Sequence, residues 1–408
     1  MSDDRTREPA CIAVFNAGSS SLKFALYGAN DRQELLFRGQ IERINSAALL
    51  KVVDADGVLV DEHQWQKGEL DHDGATREVL ATGRRLLGDM PVRAVGHRVV
   101  HGGMKFSAPT LVDAAVLNAL DQFVPLAPLH QPHNLRPIRF IAEAVPHLPQ
   151  VACFDTAFHR SQPALAQAFA LPRDLTDAGI RRYGFHGLSY EFIVSRLAEI
   201  APAVAGRRLI VAHLGNGASL CAVHDGRSVA STMGFTAVDG LMMGTRCGAL
   251  DPGVILYLMD QKGLSTRDVE VLLYNRSGLL GVSGISSDMR TLRASDRVEA
   301  REALNLFVYR IVREIGSLAT ALGGIDGLVF TGGIGENDAQ TRAEVVAQCG
   351  WLGFELDAQR NAAGESVVST ARSPAAVLVV ATDEERMIAR HSMALLSGAS
   401  CASPAQVA

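Results

Sequence analysis

The fold is decided by the segment Ile12-Ala-Val-Phe-Asn16-Ala-Gly18-Ser19-Ser20-Ser21-Leu22-Lys23-Phe-Ala-Leu26. Two short apolar runs, suited to buried strands, flank a tip made of glycine and serines. Such a tip offers closely spaced backbone N–H groups, hydroxyl donors and the cation of Lys23, which together can cradle a polyphosphate without a helix N-terminus. A solvated hairpin loop explains the same residues equally well, because glycine and serine are ordinary turn residues.

A similar segment occurs in the second half of the chain. The apolar run Arg208 to His213 leads into Leu214-Gly215-Asn216-Gly217-Ala218-Ser219-Leu220, and another apolar run follows. Both tips end in Ser-Leu between two predicted strands. A repeat at this separation predicts two related domains, each with a hairpin loop, facing each other across a cleft. Chance similarity between two Gly/Ser hairpins is the alternative.

Composition limits the classes of protein to which this chain can belong. Its 408 residues suffice for two domains, and 48% hydrophobic with 20% charged residues is ordinary for a globular protein. The net charge of -5 gives no support for a nucleic acid or an anionic membrane as a partner. There is no apolar run of about 18 residues and no signal-peptide core, and the six cysteines are scattered. We therefore expect a cytoplasmic protein with reduced thiols.

Alternation of predicted strands and helices, after an opening set of hairpins, predicts an α/β fold whose first strands are antiparallel. A third glycine-rich turn, Thr331-Gly332-Gly333-Ile334-Gly335-Glu336-Asn337, follows the predicted strand Gly327 to Phe330. None of the three turns matches the Walker or the dinucleotide-binding pattern. Each alone is explained by a tight turn. Three of them at strand ends favour a nucleotide site.

Charged and imidazole side chains at loop positions form a second group of candidates. An arginine between glycine-bearing turns presents a planar fork suited to carboxylate or phosphate, although most arginines are simply exposed. Each histidine is equally explained as a satisfied buried imidazole. The acidic candidates have structural readings too, as a helix cap and as a partner of a helix dipole. The candidates are Arg98, Arg246, His130, His186, Asp155 and Glu384.

Nine motifs, in order along nearly the whole chain, resemble the signatures of the acetate kinase family. They are Asn16-Ala-Gly-Ser-Ser-Ser-Leu-Lys23, Gly96-His-Arg-Val-Val-His-Gly-Gly103, Ala127-Pro-Leu-His130, Phe154-Asp-Thr-Ala-Phe-His159, Arg181-Arg-Tyr-Gly-Phe-His-Gly187, His213-Leu-Gly-Asn-Gly-Ala-Ser219, Met242-Met-Gly-Thr-Arg-Cys-Gly248, Gly332-Gly-Ile-Gly-Glu-Asn337 and Glu384-Glu385. The resemblance implies two duplicated actin-like ATPase domains, shared with sugar kinases and heat-shock ATPases, with the nucleotide in the cleft between them. The implied domains are 1–156 for the acyl substrate, joined by a C-terminal helix at 388–408, and 157–387 for the nucleotide.

The resemblance also implies an activity and its partners. The reaction is reversible phosphoryl transfer from ATP to acetate, giving acetyl phosphate and ADP. It requires Mg²⁺, for which Mn²⁺ can substitute, and the enzyme is a homodimer.

Residue roles carry over by position. The catalytic residues are Asp155, Arg98, Arg246, His186 and His130. The substrate-binding residues are Arg98, with Val100, Leu129, Phe185 and Ala237 around the acyl group. The nucleotide-binding residues are Lys23, Ser19, Ser21, His213, Leu214, Gly215, Asn216, Gly217, Asp288, Met289, Arg290, Gly333, Ile334, Gly335, Glu336 and Asn337. Asn16 and Glu384 are placed near the magnesium ion.

The chemistry explains these residue types. Acetate is already ionised at neutral pH, so the reaction needs no general base to create the nucleophile. Phosphoryl transfer depends on positioning and on charge stabilisation, which two arginines, a metal ion and imidazole donors supply. We therefore interpret Asp155 as a residue that orients a cation or a metal-bound water.

Several positions depart from the family pattern. Ala237 stands where proline is common, which puts the preferred acyl chain in doubt. Four other departures, which we do not expect to touch the chemistry directly, are Gln131, Leu188, Tyr190 and Ala249. The alternative functions are a propionate or other short-chain carboxylate kinase and, from a different class, an actin-like ATPase clamp that would hydrolyse ATP without acetate.

Overall fold

The computed structural model describes residues 9–398, which form two compact units. The first unit extends to Ala157 and resumes at Asp383, and the second unit extends from Phe158 to Thr382. The chain thus crosses between the units after Ala157 and again after Thr382. The part of the predicted C-terminal helix at 399–408 lies outside the described residues, as does Cys401.

The first unit, in its described part, contains an eight-stranded sheet and three helices before the first crossing. The strands are β1 (Cys11–Ala17), β2 (Ser21–Gly28), β3 (Leu35–Glu42), β4 (Leu49–Asp54), β5 (Leu59–Gln64), β6 (Val92–Val99), β7 (Thr110–Leu111) and β8 (Gln150–Phe154). The helices are α1 (His72–Leu87), α2 (Ala114–Asp121) and α3 (Gln131–Ala144). The strand order is β5-β4-β3-β2-β1-β6-β8-β7.

The opening segment forms the hairpin that the sequence predicts. Strands β1 and β2 pair antiparallel, with Asn16 opposite Lys23 and Ala17 opposite Leu22. On its other side β1 pairs parallel with β6. Nearly every residue of β1 is buried, as expected for a central strand that is covered on both faces.

The second unit contains helices around a five-stranded sheet. The helices are α4 (Ala164–Gln167), α5 (Arg173–Asp177), α6 (Gly187–Ile200), α7 (Pro252–Asp260), α8 (Thr266–Asn275), α9 (Gly278–Ser283), α10 (Met289–Arg293), α11 (Val298–Leu322), α12 (Gly332–Asn337), α13 (Ala339–Gln348) and α14 (Ala358–Ala363). The strands are β9 (Leu209–Leu214), β10 (Ala218–His224), β11 (Arg227–Ser231), β12 (Gly327–Thr331) and β13 (Ala376–Val379).

The two sheets share one topology. The order β3-β2-β1-β6-β8 in the first unit corresponds to β11-β10-β9-β12-β13 in the second. In each series the first two pairings are antiparallel and the last two are parallel. The predicted α/β class is therefore confirmed, and the repeated Ser-Leu tips lie at equivalent hairpins, β1-β2 and β9-β10.

The last helix, α15 (Glu384–Leu396), belongs to the first unit. Asp383 caps the N-terminus of this helix, where its carboxylate accepts a hydrogen bond from the backbone N–H of Arg386 at 3.0 Å. The helix packs on β1 and β6, where Gly96 permits a close approach. A Cβ atom at Gly96 would lie 2.5 Å from Cγ2 of Ile388 and 2.6 Å from Oγ of Ser392. A larger residue at position 96 would therefore push α15 off the sheet.

Residues 9–398 contain five of the six cysteines. The five cysteines in this range form no disulfide bond, and all but Cys247 are buried. In the same range no helix is both long and apolar enough to cross a membrane.

Candidate active site

In the first unit, an ion pair forms at the carboxyl ends of two neighbouring parallel strands. Arg98 lies near the end of β6, and Asp155 directly follows β8. Nε of Arg98 is 3.0 Å from Oδ1 of Asp155, and Nη2 of Arg98 is 2.6 Å from Oδ2. The Asp155 side chain is only 2% exposed. The structure thus brings together two residues that the sequence named separately.

Asn16 and Glu384 lie against the same guanidinium. Nη1 of Arg98 donates to Oδ1 of Asn16 at 3.3 Å, and Nε of Arg98 is 3.6 Å from Oε2 of Glu384. The amide of Asn16 also donates to Oε1 of Glu385 at 3.3 Å. Arg98 is therefore the centre of a cluster that contains three carboxylates.

The charges in this cluster act on each other strongly. Burial opposes the charge on Arg98, but the carboxylates of Asp155 and Glu384 outweigh it and hold the pKa of Arg98 above its usual range. Burial raises the pKa of Glu384 to about 7, with the negative charge of Asp155 adding to the rise and Arg98 opposing it. Lys23, which is exposed on β2, also lowers the pKa of Glu384.

The donor set fits a magnesium ion that is bound mainly through other ligands. Asn16 and Glu384 offer oxygen atoms, which Mg²⁺ prefers. Within residues 9–398 there is no group of three or more His, Cys, Asp or Glu residues arranged to hold a metal. Mg²⁺ usually keeps several waters and is held by one or two protein groups together with substrate phosphates, so Asn16 and Glu384 would suffice as its protein ligands.

The remaining candidates of the first unit lie at the hairpin tip and before α3. Ser19 is exposed, and its carbonyl accepts a hydrogen bond from Nε2 of His72 at 2.9 Å. Ser21, at the start of β2, is half-buried. Val100 is buried, and its backbone N–H donates to Oδ1 of Asn134 at 2.9 Å. Leu129 and His130 are half-buried and directly precede α3.

The second unit contains a cavity of about 910 Å³, within the size range of small-molecule and cofactor sites. Eight of the predicted nucleotide-binding residues line it, together with four that sequence reasoning missed. The predicted ones are Gly215, Asn216, Asp288, Met289, Arg290, Gly333, Ile334 and Asn337. The missed ones are Ser287, Arg293, Ala294 and Asp338.

Helix α10 supplies part of this lining. Asp288 begins the helix by accepting from the backbone N–H groups of Arg290 at 2.9 Å and Thr291 at 3.1 Å. The hydrogen bond from the Arg290 side chain, reinforced by the backbone, lowers the pKa of Asp288 to about 2. Arg293 stands three residues after Arg290 on the same short helix. That spacing was the available signal for Arg293.

Helix α12 is positioned by its own glutamate. Oε1 of Glu336 accepts from the backbone N–H groups of Gly332 at 2.8 Å and Thr382 at 3.1 Å. Gly332 has φ of 77°, and a Cβ atom there would lie 2.8 Å from the carbonyl oxygen of Leu214. Glu336, Leu214 and Gly335 therefore shape the loop, but they are not among the residues that line the cavity.

A buried arginine holds the other end of α12. Nη1 of Arg342 donates to the carbonyls of Gly335 and Glu336, both at 2.9 Å, while Nε and Nη2 bind Asn361 at 2.7 and 2.8 Å. Arg342 is 1% exposed. Sequence reasoning did not identify it, because its partners are carbonyls brought together by the fold.

His186 and Arg246 converge on one point beside the hairpin loop β9-β10. A Cβ atom at Gly217 would lie 3.3 Å from Nε2 of His186 and 3.7 Å from Nη1 of Arg246. Nη1 of Arg246 also donates to the carbonyl of Ala237 at 2.8 Å. Gly217 is next to Asn216, which lines the cavity. A cation and an imidazole nitrogen thus stand at the edge of the predicted nucleotide site.

His186 is held in an uncommon backbone conformation. It has φ of 58°, in the left-handed region that is costly for a residue with a side chain, and it directly precedes α6. Its ring stacks on that of His213, with centroids 4.3 Å apart and an interplanar angle of 23°. Nδ1 of His213 lies 2.8 Å from Oγ of Ser189. Strain of this kind is typical of residues whose position serves function.

Tyr190, one of the departures from the family pattern, lies one side chain away from a candidate catalytic residue. Its hydroxyl is hydrogen-bonded to Oγ of Ser219, which lies 2.8 Å from Nδ1 of His186. Tyr190 therefore contacts a candidate catalytic residue through one intermediate. The sequence showed the unusual residue but not its partner.

Two residues predicted to line the acyl pocket also belong to the second unit. Phe185 is 2% exposed, and its carbonyl accepts from Nε2 of His159 at 2.9 Å. Ala237 is half-buried, and the contact with Arg246 fixes its carbonyl.

Comparison with known proteins identifies the family. The model of the acetokinase family matches residues 11–390. The chain belongs to the acetokinase family. The family predicted from the sequence motifs is thereby confirmed.

Members of the acetokinase family match the chain along nearly its whole length. An acetate kinase from Methylocella silvestris is 52% identical over 396 residues, which cover 95% of this chain and 98% of that relative. A crystal structure of a propionate kinase from Francisella tularensis subsp. tularensis SCHU S4 has a TM-score of 0.87 and 36% identity, with 94% and 98% of the two chains covered. Porphyromonas gingivalis acetate kinase gives a TM-score of 0.84 and 37% identity, covering 95% of this chain and all of the other.

Proposed function

We propose that this acetokinase catalyses the reversible transfer of a phosphoryl group from ATP to acetate, giving acetyl phosphate and ADP. The observation that carries the proposal is the convergence of Arg246 and His186 beside Gly217, at the edge of the 910 Å³ cavity. A transferring phosphoryl group carries negative charge on its equatorial oxygens, and a guanidinium and an imidazole donor stabilise that charge. Close relatives named acetate kinase support acetate as the acceptor.

ATP would bind in the cavity of the second unit. Residues around Gly215 and Gly333 line one part of it, and residues 287–290 with residues 293 and 294 line another. The exposed side chain of Lys23 and the serines of the first hairpin loop would contact phosphate oxygens, since a cation and hydroxyl donors suit a polyanion.

Acetate would bind at Arg98. Asp155 takes the Nε–Nη2 edge of this guanidinium and Asn16 accepts one hydrogen of Nη1, so the second Nη1 hydrogen is the donor that would be offered to a carboxylate. Asp155 would fix the direction of the guanidinium without accepting a proton, because acetate reacts as the anion it already is. His130 would contribute a further imidazole to the acyl-phosphate site.

Asn16 and Glu384 would hold Mg²⁺ together with phosphate oxygens and water, and Mn²⁺ fits the same oxygen donors. The ion, when bound, neutralises charge on the phosphates. Arg98 in particular offsets the charge of the three carboxylates, whose repulsion would otherwise oppose the approach of acetate.

Propionate is a second candidate acceptor, favoured by Ala237. Val100, Leu129, Phe185 and Ala237 would surround the acyl group. Alanine is about two carbons smaller than the proline that we associate with the acetate-binding pattern, and one methylene is worth about 0.8 kcal/mol of transfer. The structural similarity to a propionate kinase supports this second candidate.

A homodimer would cover the apolar surface of α7. Val254, Leu256, Tyr257 and Met259 are all exposed, and none of the residues of α7 is buried. An exposed apolar helix surface of this composition marks an interface. We expect Leu256→Glu to shift the mass measured by light scattering from dimer to monomer, whereas the control Leu165→Glu, at an isolated exposed leucine, leaves the mass unchanged. A monomeric wild-type enzyme would contradict the dimer. Reduced thiols at the five cysteines of residues 9–398 would suit a cytoplasmic site of action.

Trapping with hydroxylamine tests the reaction directly. Enzyme with ATP, Mg²⁺ and acetate should yield a hydroxamate, because hydroxylamine captures acyl phosphates. An ATPase clamp would release phosphate without acetate and form no hydroxamate.

Replacing Arg246 tests the proposed stabilisation of the phosphoryl group. Arg246→Ala should raise the activation free energy by about 3–4 kcal/mol, which lowers kcat/KM hundreds-fold. The control Arg301→Ala, at an exposed position of α11, should retain wild-type rates. Near-normal rates in folded Arg246→Ala would remove this arginine from the mechanism.

A further inference from the structure

Two buried side chains on helices hold the first hairpin loop, which connects β1 to β2. Nδ2 of Asn134 on α3 donates to the carbonyl of Ala17 at 2.6 Å. Nε2 of His72, the first residue of α1, lies 2.9 Å from the carbonyl oxygen of Ser19. A carbonyl oxygen can only accept, so this ring nitrogen carries a hydrogen and His72 is the donor. Both donor residues are buried.

The contact with His72 determines the direction of the peptide group between Ser19 and Ser20. In a trans peptide the carbonyl and the N–H that follows it point in opposite directions. Because the carbonyl of Ser19 points to α1, the N–H of Ser20 points away from that helix. Within residues 9–398 no group accepts a hydrogen bond from the N–H of Ser19 or Ser20, and both serines are exposed. The loop therefore presents two backbone donors on its outer side.

Two more carbonyls of the loop accept hydrogen bonds inside the protein. The carbonyl of Ser20 accepts from the backbone N–H of Ile44 at 3.0 Å, and the carbonyl of Ser21 accepts from that of Gly18 at 2.8 Å. An anion is attracted by exposed N–H groups and repelled by exposed carbonyl oxygens. Engaging the carbonyls within the protein thus favours an anion at the outer side of the loop.

We propose that His72 and Asn134 are positioning residues that orient the first hairpin loop for the phosphate groups of ATP. His72 fixes the peptide whose N–H points outward, and Asn134 holds the end of β1 at Ala17. Donors that are oriented before the ligand binds stabilise an anion better than donors that must first turn. The inference rests on the proposed contact between this loop and phosphate.

Asn134 also connects the loop to the predicted acyl pocket. Its Oδ1 accepts from the backbone N–H of Val100 at 2.9 Å, while its Nδ2 holds the carbonyl of Ala17. A side-chain amide has one acceptor oxygen and one donor nitrogen, so a single residue serves both backbone groups. Asn134 therefore fixes the end of β1 relative to the residue that follows β6.

The packing of α1 against α3 restrains the imidazole of His72. The ring of His72 lies beside that of His133 on α3, with centroids 4.8 Å apart and an interplanar angle of 37°. A donor that is already restrained loses less conformational freedom when the ligand binds. The two helices thus form a support behind the loop.

Removing and restoring the donor at position 72 tests the proposal. His72→Leu removes it, whereas His72→Gln keeps a side-chain N–H that can reach the same carbonyl. In titration calorimetry with Mg²⁺ and without acetate, the Kd for ATP should rise about 5- to 10-fold in His72→Leu and return to within about twofold in His72→Gln. The Kd for adenosine, which has no phosphate, should not change. The control His147→Leu, at an exposed position, should bind both ligands like the wild type.

Two substitutions at position 134 separate the two contacts of Asn134. Asn134→Asp keeps the acceptor for Val100 but turns an oxygen toward the carbonyl of Ala17, so KM for ATP should rise about tenfold with KM for acetate within about twofold. Asn134→Leu removes both contacts, so KM for acetate should rise as well. If His72→Leu does not fold, Asn134→Asp tests the proposal, and an unchanged KM for ATP would refute it.

Binding results distinguish positioning from a merely structural role. An unchanged Kd for ATP in folded His72→Leu would overturn the proposal, and so would an equal loss of affinity for ATP and adenosine. Failure of His72→Gln to restore ATP binding would also count against it. Wild-type enzyme that bound no ATP would refute the proposed function itself. That failure appears in the wild type, whereas failure of the positioning role appears only in the variants.

Discussion

Replacing Asp155 by asparagine tests the ion pair at the centre of the first unit. The carboxylate meets two donors of Arg98, Nε at 3.0 Å and Nη2 at 2.6 Å. Asparagine offers one acceptor oxygen, and its amide group is a donor directed at another donor. Breaking a buried pair from one side costs about 3–5 kcal/mol. Glu384 at 3.6 Å and the 21% exposure of Arg98 reduce this, so we expect a loss of about 2 kcal/mol.

The effect on catalysis should exceed the effect on stability. Without Asp155 the guanidinium of Arg98 should turn toward Glu384. The activation free energy should then rise by about 3 kcal/mol, which lowers kcat more than 100-fold. The remaining activity should keep the wild-type pH profile, because the nucleophile needs no general base.

Urea denaturation and the hydroxamate assay measure the two effects of Asp155→Asn. The matched control is Asp73→Asn, which makes the same chemical change in the ion pair between Asp73 and Arg136. Both side chains of this pair are 42% exposed. It should cost less than about 1 kcal/mol and leave activity intact. If Asp155→Asn behaved like Asp73→Asn, or lost the low-pH limb of the pH profile as expected for a general base, the positioning role of Asp155 would be wrong.

Three further predictions concern the acyl pocket, the nucleotide loop and acid stability. Ala237→Pro keeps the carbonyl that binds Arg246. It should raise the activation free energy for propionate by about 1 kcal/mol more than for acetate, and so lower kcat/KM more for propionate. An unchanged ratio of the two kcat/KM values in competition assays would contradict this. Arg342→Met should destabilise the fold by about 2–4 kcal/mol and raise KM for ATP, measured by denaturation and kinetics, because two carbonyls of α12 lose their donor. Burial lowers the pKa of His97 to about 4, so only the unfolded chain takes up this proton between about pH 6.5 and 4, and stability falls as the pH decreases through that window. In His97→Gln the loss of unfolding free energy between pH 7 and pH 5 should therefore be about 2 kcal/mol smaller, and an unchanged loss would contradict this.

Local pattern was sufficient for the elements with clear periodicity. The opening hairpin and β12 lie where the sequence predicts them, since their apolar runs are visible within each segment. Strand β3 was missed because it mixes charged residues with Gly39. In the structure that glycine makes room for the ring of Phe24, whose Cζ would lie 2.4 Å from a Cβ at position 39. A contact between strands cannot be read from either strand alone.

The candidate site shows the same division. Motifs identified Arg98 and Asp155 as residues, but their pairing depends on β6 and β8 being parallel neighbours, which only the strand order reveals. The contact between Tyr190 and Ser219 joins positions 29 residues apart on different elements. The candidate residues could therefore be named from the sequence, whereas the hydrogen bonds and the ion pair between them could not be predicted.

The return of the chain to the first unit at Asp383 has a consequence for synthesis on the ribosome. Helix α15 packs on β1 and β6, yet it is translated after the 225 residues from Phe158 to Thr382. At roughly 5–20 residues per second, the N-terminal sheet waits about 10–45 s for the helix that covers it. The second unit has by then been translated in full. The half of the protein that leaves the ribosome first is thus the last to be completed, and until then the surface around Gly96 is open to chaperones and to aggregation.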